Sequence, residues 1–231
     1  MTHSRTKKEA ALRVAVFGTG RVGQVLAAGL AVRGHAVTVG SRRPEDPGVA
    51  GRFAGTPAIA LGSHRQAAAD AEFAVFALPF PALRPVAAEL AAVLPAGVTM
   101  LDASDPEGRD AQGKTQLLLG HEDSGGELLQ RLVPQAHVVK ALNIVNAADM
   151  VDPAFPDGPP TLLVCGDHPP AVQQVIALCR ELGWSDILDI GPLARARLTE
   201  ALGILWVHAA EAAGSYDVAF RLMRREAGRT S

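Results

Sequence analysis

Cysteine, aromatic side chains, net charge and long apolar runs are all scarce in this 231-residue chain. Its two cysteines, Cys165 and Cys179, show no C-x-x-C pairing and no metal-ligand spacing, which removes a disulfide framework and a thiolate metal site. Cys165 lies in an apolar run and Cys179 on a helix-like stretch, so both read as buried thiols, in keeping with a reducing, cytoplasmic setting. Aromatic residues make up 4% of the chain, too few for a surface on which single-stranded bases stack. A net charge of −2 provides no global field for nucleic acid or an anionic membrane. The most apolar late segment, Leu198 to Ala213, contains Glu200, His208 and Glu211 and is too short and polar to span a bilayer. The N-terminal Thr2 to Lys8 is polar and basic with no apolar run behind it, unlike a signal peptide. The expected protein is therefore soluble, with neither nucleic acid nor membrane as partner. The seven histidines show no ligand spacing, and no nucleophile signature or acid–base pair appears, so no metal site and no catalytic side chain is assigned.

What the chain does have is alternation. After a tail at residues 1–11, expected to be disordered, strand-like and helix-like stretches follow one another. The strands are expected at Arg13–Phe17, Ala36–Val39, Phe73–Leu78, Val98–Leu101, His137–Leu142, Leu162–Cys165 and Ile187–Ile190, with a weak one within Thr56–Leu61. The helices are expected at Val22–Arg33, His64–Asp70, Ala82–Leu94, a stretch ending at Leu128–Leu132, Pro169–Leu182 with Asp167 as its N-cap, and Leu193 to about Arg224. The run FAVFAL is continuously apolar, as a strand covered on both faces must be. A polar stretch from Ser104 to Asp123 has no clear period and is long for a plain loop. The predicted fold class is α/β, a Rossmann-like doubly wound parallel sheet with a C-terminal helical extension. Residues 12–150 would form the Rossmann domain that binds the ligand, and 151–231 a smaller α/β lobe packed on it and ending in a long helix. Ligands of such sheets sit at the carboxyl ends of the strands.

Gly18-Thr19-Gly20-Arg21-Val22-Gly23 is G-x-G-x-x-G between a strand and an amphipathic helix, the setting in which the pattern carries meaning. Gly18 would allow the tight turn, Gly20 the approach of a pyrophosphate, and Gly23 the packing of helix on strand, while the helix N-terminus offers free N–H groups to the anion. The second strand ends in Ser41-Arg42-Arg43, with no acidic residue before Glu45. An NAD site would place a carboxylate there for the ribose 2′-OH; two guanidiniums and a hydroxyl suit the 2′-phosphate of NADP(H). Leu78, Pro79 and Phe80 follow the central strand and would border the nicotinamide. Asp102 and Ser104 after the fifth strand, and Asn143 after the sixth, are polar groups where a ligand crevice would form. A hydride passing between two bound cofactors needs positioning more than protein acids or bases.

The segments GTGRVG, VTVGSRRPE, FAVFALPF, LDASDP, VVKALN, VCGD and DIGPLARARLTEAL occur in this order. Over roughly residues 13–210 the chain resembles the NADPH-dependent reductases of the deazaflavin coenzyme F420, and it is similar also to the cytosolic NADPH–flavin domain of the STEAP metalloreductases. The resemblance implies a hydride shuttle. NADP would lie along Thr19 to Val22, with Ser41, Arg42 and Arg43 on the 2′-phosphate. The Leu78–Phe80 loop and the Ala141–Asn143 segment would border the nicotinamide. The second redox partner, coenzyme F420 or FMN/FAD, would stack on it in the adjacent crevice. The deazaflavin reductases commonly carry a His where this chain has Asn143, and STEAP-like domains have Asn there. The haem-bearing membrane domain of STEAP proteins has no counterpart in this sequence. Two other readings stand beside this one. One is an NADP-dependent dehydrogenase of a small C=O or C=N substrate, with Lys140 as the donor candidate near a strand end. The other is a non-catalytic NADP(H) sensor. The late helix, with Leu198, Leu202, Leu205, Trp206 and Ala209 on one side, suggests a homodimer.

Overall fold

Successive side chains of a strand point to opposite faces, so a fully buried strand must feed two separate cores. That is the arrangement in the computed structural model, which describes residues 11–56 and 58–225. Val14 and Val16 of β1 (Arg13–Phe17) enter one apolar cluster, while Ala15 and Phe17 enter the other. The chain continues through α1 (Arg21–Val32), β2 (Ala36–Ser41), α2 (Pro47–Gly51), β3 (Ile59–Ser63), α3 (His64–Ala69), β4 (Phe73–Phe76), α4 (Phe80–Ala91) and β5 (Thr99–Asp102). It then forms a hairpin, β6 (Glu107–Arg109) and β7 (Thr115–Leu117), followed by α5 (Gly125–Leu132), β8 (His137–Lys140), β9 (Thr161–Gly166), α6 (Pro169–Glu181), β10 (Asp186–Asp189) and α7 (Ala196–Ala213). Helices α1 and α6 cover one face of the sheet and α3, α4 and α5 the other. Phe17, Phe73 and Phe76 are fully buried, each stabilising the fold by about 1.5–3 kcal/mol through removal of its ring from water.

The eight-stranded sheet runs β10-β9-β8-β5-β4-β1-β2-β3. From β8 to β3 every pairing is parallel, which is the expected Rossmann-like, doubly wound sheet. The chain winds outward from β1 to β3 and returns to β4 on the other side of β1, so the switch point lies between β1 and β4. The last two strands depart from the all-parallel expectation: β9 is antiparallel to β8, and β10 is parallel to β9, so both run against the rest while extending the same sheet. An apolar run has the same pattern in either direction, so only the 141–160 connection, Pro-rich at its end and without an α-helix, could have signalled this.

Two further expectations are corrected, and the polar stretch gains a structure. The polar stretch 104–123 contains the β6–β7 hairpin, which lies against α7: His208 Nε2 is 2.8 Å from the Thr115 carbonyl and Lys114 pairs with Glu211. The N-cap of α6 is His168, whose Nδ1 accepts from Ala171 N; Asp167 instead accepts from Leu193 N and so ties β9 to the approach of α7. The final helix ends at Ala213, not near Arg224, because Gly214 takes the left-handed conformation, with φ of 69°. Residues 215–225 run on without regular structure and reach the last strands, where Arg224 pairs with Asp186 at 2.9 Å. Residues 1–10 of the expected tail lie outside the described residues. Cys165 and Cys179 are buried as expected, and burial pushes both thiols up to about 12. Among the described residues no helix is long and apolar enough to cross a membrane.

Candidate functional site

The carboxyl ends of β1 and β4 touch at the switch point, where Ala77 N donates to the Phe17 carbonyl at 2.9 Å. This contact is why Gly18 must be glycine: its φ is +136°, and a methyl group there would lie 2.2 Å from the Ala77 carbonyl oxygen. At Gly23 a methyl would come within 2.0 Å of the Gly18 carbonyl, so this glycine seats α1 against its own loop. Gly20 differs, because a methyl there would meet nothing within 4 Å. The space in front of it belongs to the cleft. Gly20 is also the N-cap of α1, it provides no side-chain cap, and the first turn has no acidic residue. The free N–H groups and the positive end of the helix therefore face the cleft unneutralised, as an anion-binding loop requires.

The nucleotide-side cleft has a volume of about 410 Å³. Gly18, Thr19 and Gly20 line one wall, and Ser41, Arg42 and Arg43 another. Ser41 is buried, and its Oγ accepts from Arg43 N at 3.1 Å, which shapes the turn that carries both guanidiniums. Sequence reasoning missed Arg52, which follows α2, lines the same cleft and donates to the Thr19 carbonyl at 3.0 Å. Nothing local in the sequence marks it; α2 folds it back onto the glycine loop. Asp46, the one carboxylate in the lining, is occupied, since it caps α2 by accepting from Gly48 N at 2.8 Å and faces Arg43. Three guanidiniums, a buried hydroxyl and an uncapped helix start fit a phosphorylated dinucleotide. Arg21 is exposed and lies outside this lining, whereas Val22 faces the second cleft.

That second cleft, of about 360 Å³, lies on the β5–β8 side under α7. Ala77, Leu78 and Pro79 line both clefts, so the two meet at the exit of the central strand. Phe80 does not line either one; it opens α4 and packs on the apolar cluster beneath. Ala141 is completely buried and sits in the core. Its neighbour Leu142 has φ of +64°, a rare conformation for a bulky residue. The turn it makes brings Asn143 into the cleft lining.

Asp102 and Ser104 separate in role. Asp102 is wholly buried. One of its oxygens accepts from Ser104 N at 3.0 Å and Ser104 Oγ at 2.6 Å, and the other lies 2.6 Å from Lys140 Nζ. Lys140 is also 2.7 Å from Glu200 of α7 and donates to the Ser104 carbonyl at 2.6 Å. Glu200 in turn accepts from Gly125 N and Gly126 N at 2.9 and 3.0 Å, taking up free N–H groups at the start of α5. Burial alone would pull Lys140 down, but Asp102 and Glu200, the carboxylates in contact with it, hold it above the ordinary lysine value. A lysine so locked, and outside the cleft lining, cannot serve as the proton donor that the small-substrate reading needed.

Asp105 was also missed, although its position three residues past the end of β5 was the available signal. It lines the second cleft beside Asn143, whose Nδ2 donates to Asp105 Oδ1 and to the Thr199 carbonyl, both at 2.9 Å. Asn143 Oδ1 is buried and has no partner among the described residues. Burial raises Asp105 well above the usual carboxylate range against the lowering effect of Lys140 and Asn143, and Glu200 and Asp102 add to the rise. Gly203 of α7 makes the close approach possible, since a methyl there would be 2.8 Å from Asp105 Oδ2.

Comparison with known proteins identifies the family and the fold. Residues 13–106 match the model of the coenzyme F420-dependent NADP oxidoreductases. The crystal structure of a candidate F420-dependent NADP reductase from Arthrobacter sp. FB24 is 32% identical, with a TM-score of 0.85, and the match covers 93% of this chain and 100% of that one. The F420-dependent NADP reductase of Methanocaldococcus jannaschii is 27% identical over 209 residues, 83% of this chain and 89% of the relative. The metalloreductase STEAP3 of Rattus norvegicus is 34% identical over 191 residues, 82% of this chain and 36% of the relative, so the chain spans about a third of that protein's length. This chain belongs to the coenzyme F420-dependent NADP oxidoreductase family.

Proposed function

We propose that this protein transfers a hydride between NADP(H) and a ring acceptor, coenzyme F420 or a flavin (FMN or FAD), bound in the second cleft. The observation that carries the reading is the meeting of the two clefts at Ala77, Leu78 and Pro79. A dinucleotide held by its phosphates at Gly18–Gly20 and Arg42, Arg43 and Arg52 would extend along the switch point toward this strand exit. NADP(H) supplies the hydride chemistry itself. The protein's part is to bind and orient. The α1 N-terminus and the three guanidiniums hold the phosphates, Leu78 and Pro79 line the junction of the two clefts, and Ile204 and Trp206 of α7 give the second cleft an apolar wall suited to a flat ring. Asn143 Oδ1 offers an acceptor to a ring or carboxamide N–H.

The test is to mix the purified protein with NADPH and, separately, oxidised F420, FMN and FAD, and to follow NADPH loss by absorbance. Oxidation with F420 alone would identify a deazaflavin reductase. Oxidation with FMN or FAD would identify a flavin reductase of the kind found in part of STEAP-like proteins. NADPH binding without loss in any of these mixtures sinks the ring-acceptor reading.

A further inference from the structure

A hydride carries two electrons to its acceptor together with one proton, and the acceptor ring is left with a negative charge that a second proton can neutralise. Sequence reasoning found no group for this task. The second cleft has one. We propose that Asp105 is the catalytic acid and base of that cleft, giving the proton to a ring nitrogen of the acceptor in one direction and taking it back in the other. The proposal rests on the ring-acceptor reading given above.

The geometry fixes which oxygen would act. Asn143 Nδ2 donates to Asp105 Oδ1, and its second acceptor, the Thr199 carbonyl, fixes the amide in that orientation. The carboxylic proton therefore belongs on Oδ2. The charged groups facing Asp105 come from each neighbouring strand and helix: Asp102 from β5, Lys140 from β8 and Glu200 from α7. Glu107 and Tyr216 line the same cleft. Lys140, engaged by Asp102 and Glu200, opposes the rise at Asp105 without outweighing burial. Burial and the two carboxylates favour the protonated form of Asp105. A carboxylic acid that is neutral near neutral pH can both donate and be reloaded. In the step, the Asp105 O–H bond breaks as an N–H bond forms on the acceptor ring, which has received the hydride. The oxidised nicotinamide leaves as NADP+, and the Asp105 carboxylate regains its proton from water. The orphaned Asn143 Oδ1 in the same wall is the acceptor that would orient the partner's N–H beside this acid.

Two variants and two kinds of readout test this. In Asp105→Asn, NADPH binding should stay within about threefold, and kcat with the active ring acceptor should fall by about 100-fold or more with little change in KM. The alkaline fall of the wild-type rate should disappear. In Asp105→Ala, added formate or acetate should restore part of the rate, which a merely structural role would not permit. Independently of any cofactor, the infrared C=O band of a protonated carboxylic acid should be present in the wild-type protein at neutral pH and lost in Asp105→Asn. An active wild type with undiminished kcat and pH profile in Asp105→Asn, or with no such band to lose, overturns the assignment while leaving the ring-acceptor reading intact. A wild type that keeps the band but oxidises NADPH with no ring acceptor overturns both.

Discussion

Removing the Lys140 ammonium tests the buried charge cluster most directly. In Lys140→Met the apolar stem is kept and the charge is lost, so Asp102 and Glu200, each within 2.7 Å of Nζ in the wild type, face each other with no cation between them. Both carboxylates and the lysine are fully buried, so water cannot replace the missing partner. Breaking a buried pair by deleting one member costs about 3–5 kcal/mol, a large share of the roughly 5–15 kcal/mol that holds a domain folded. For a chain of this size each kcal/mol is about 2–4 °C in Tm, so the expected drop is about 6–20 °C. The pH dependence carries a sign. Burial already raises Glu200 above the ordinary glutamate value, and Lys140 opposes that rise. Without the lysine the folded-state value rises further, so between the ordinary carboxylate range and this higher value the folded variant holds a proton that the unfolded chain has released. Stability of the variant must then fall as pH rises through that window, and its deficit should be smaller at pH 5 than at pH 8. Thermal melts of both proteins across that range provide the assay. A Tm within about 2 °C of wild type at every pH, or a deficit that grows on acidification, refutes the reasoning.

Arg42→Ala combined with Arg43→Ala should weaken NADPH by about 30- to 100-fold and NADH by less than about threefold, because charge-assisted bonds to the 2′-phosphate are lost only for the former. Equal weakening in calorimetric titrations would place the guanidiniums elsewhere. Gly20→Ala and Gly23→Ala should part company: the first has open space and keeps Tm while NADPH affinity falls at least about tenfold, whereas the second forces a clash within 2.0 Å and costs about 1–3 kcal/mol of stability by thermal melt. A Gly20→Ala protein that binds NADPH normally would refute the phosphate-loop assignment. Leu198 and Leu205 of α7 are 61% and 57% exposed while Trp206 turns inward, so the proposed homodimer should form through these leucines and dissociate in Leu205→Glu. A wild-type monomer by light scattering excludes it.

Local physics made much of this molecule legible in its sequence. The G-x-G-x-x-G loop, the apolar run FAVFAL and the 3.6-residue spacing of α1, α4 and α6 are each decided by neighbouring residues, so most strand and helix positions and several residues lining the first cleft could be read directly. The positive φ at Gly34 after α1 follows from the same kind of signal. The fold alone decided the rest. A run such as Thr161–Gly166 is equally apolar in both directions, so only pairing in the sheet reversed it. Asp102 sits at a strand end, where a ligand contact was expected, yet it faces Lys140 inside the protein; a polar residue's partner lies in another element and leaves no mark on its own neighbourhood. Arg52 reaches Thr19 across 33 positions, and Asn143 reaches Thr199 across 56. The acid in the second cleft exists only because α7, entering with Gly203 and Glu200, packs against Asp105 and shields part of it from water. Sequence pattern reports which faces are buried; which charges are buried together, and therefore which of them can hold a proton, is settled by packing between elements far apart in the chain.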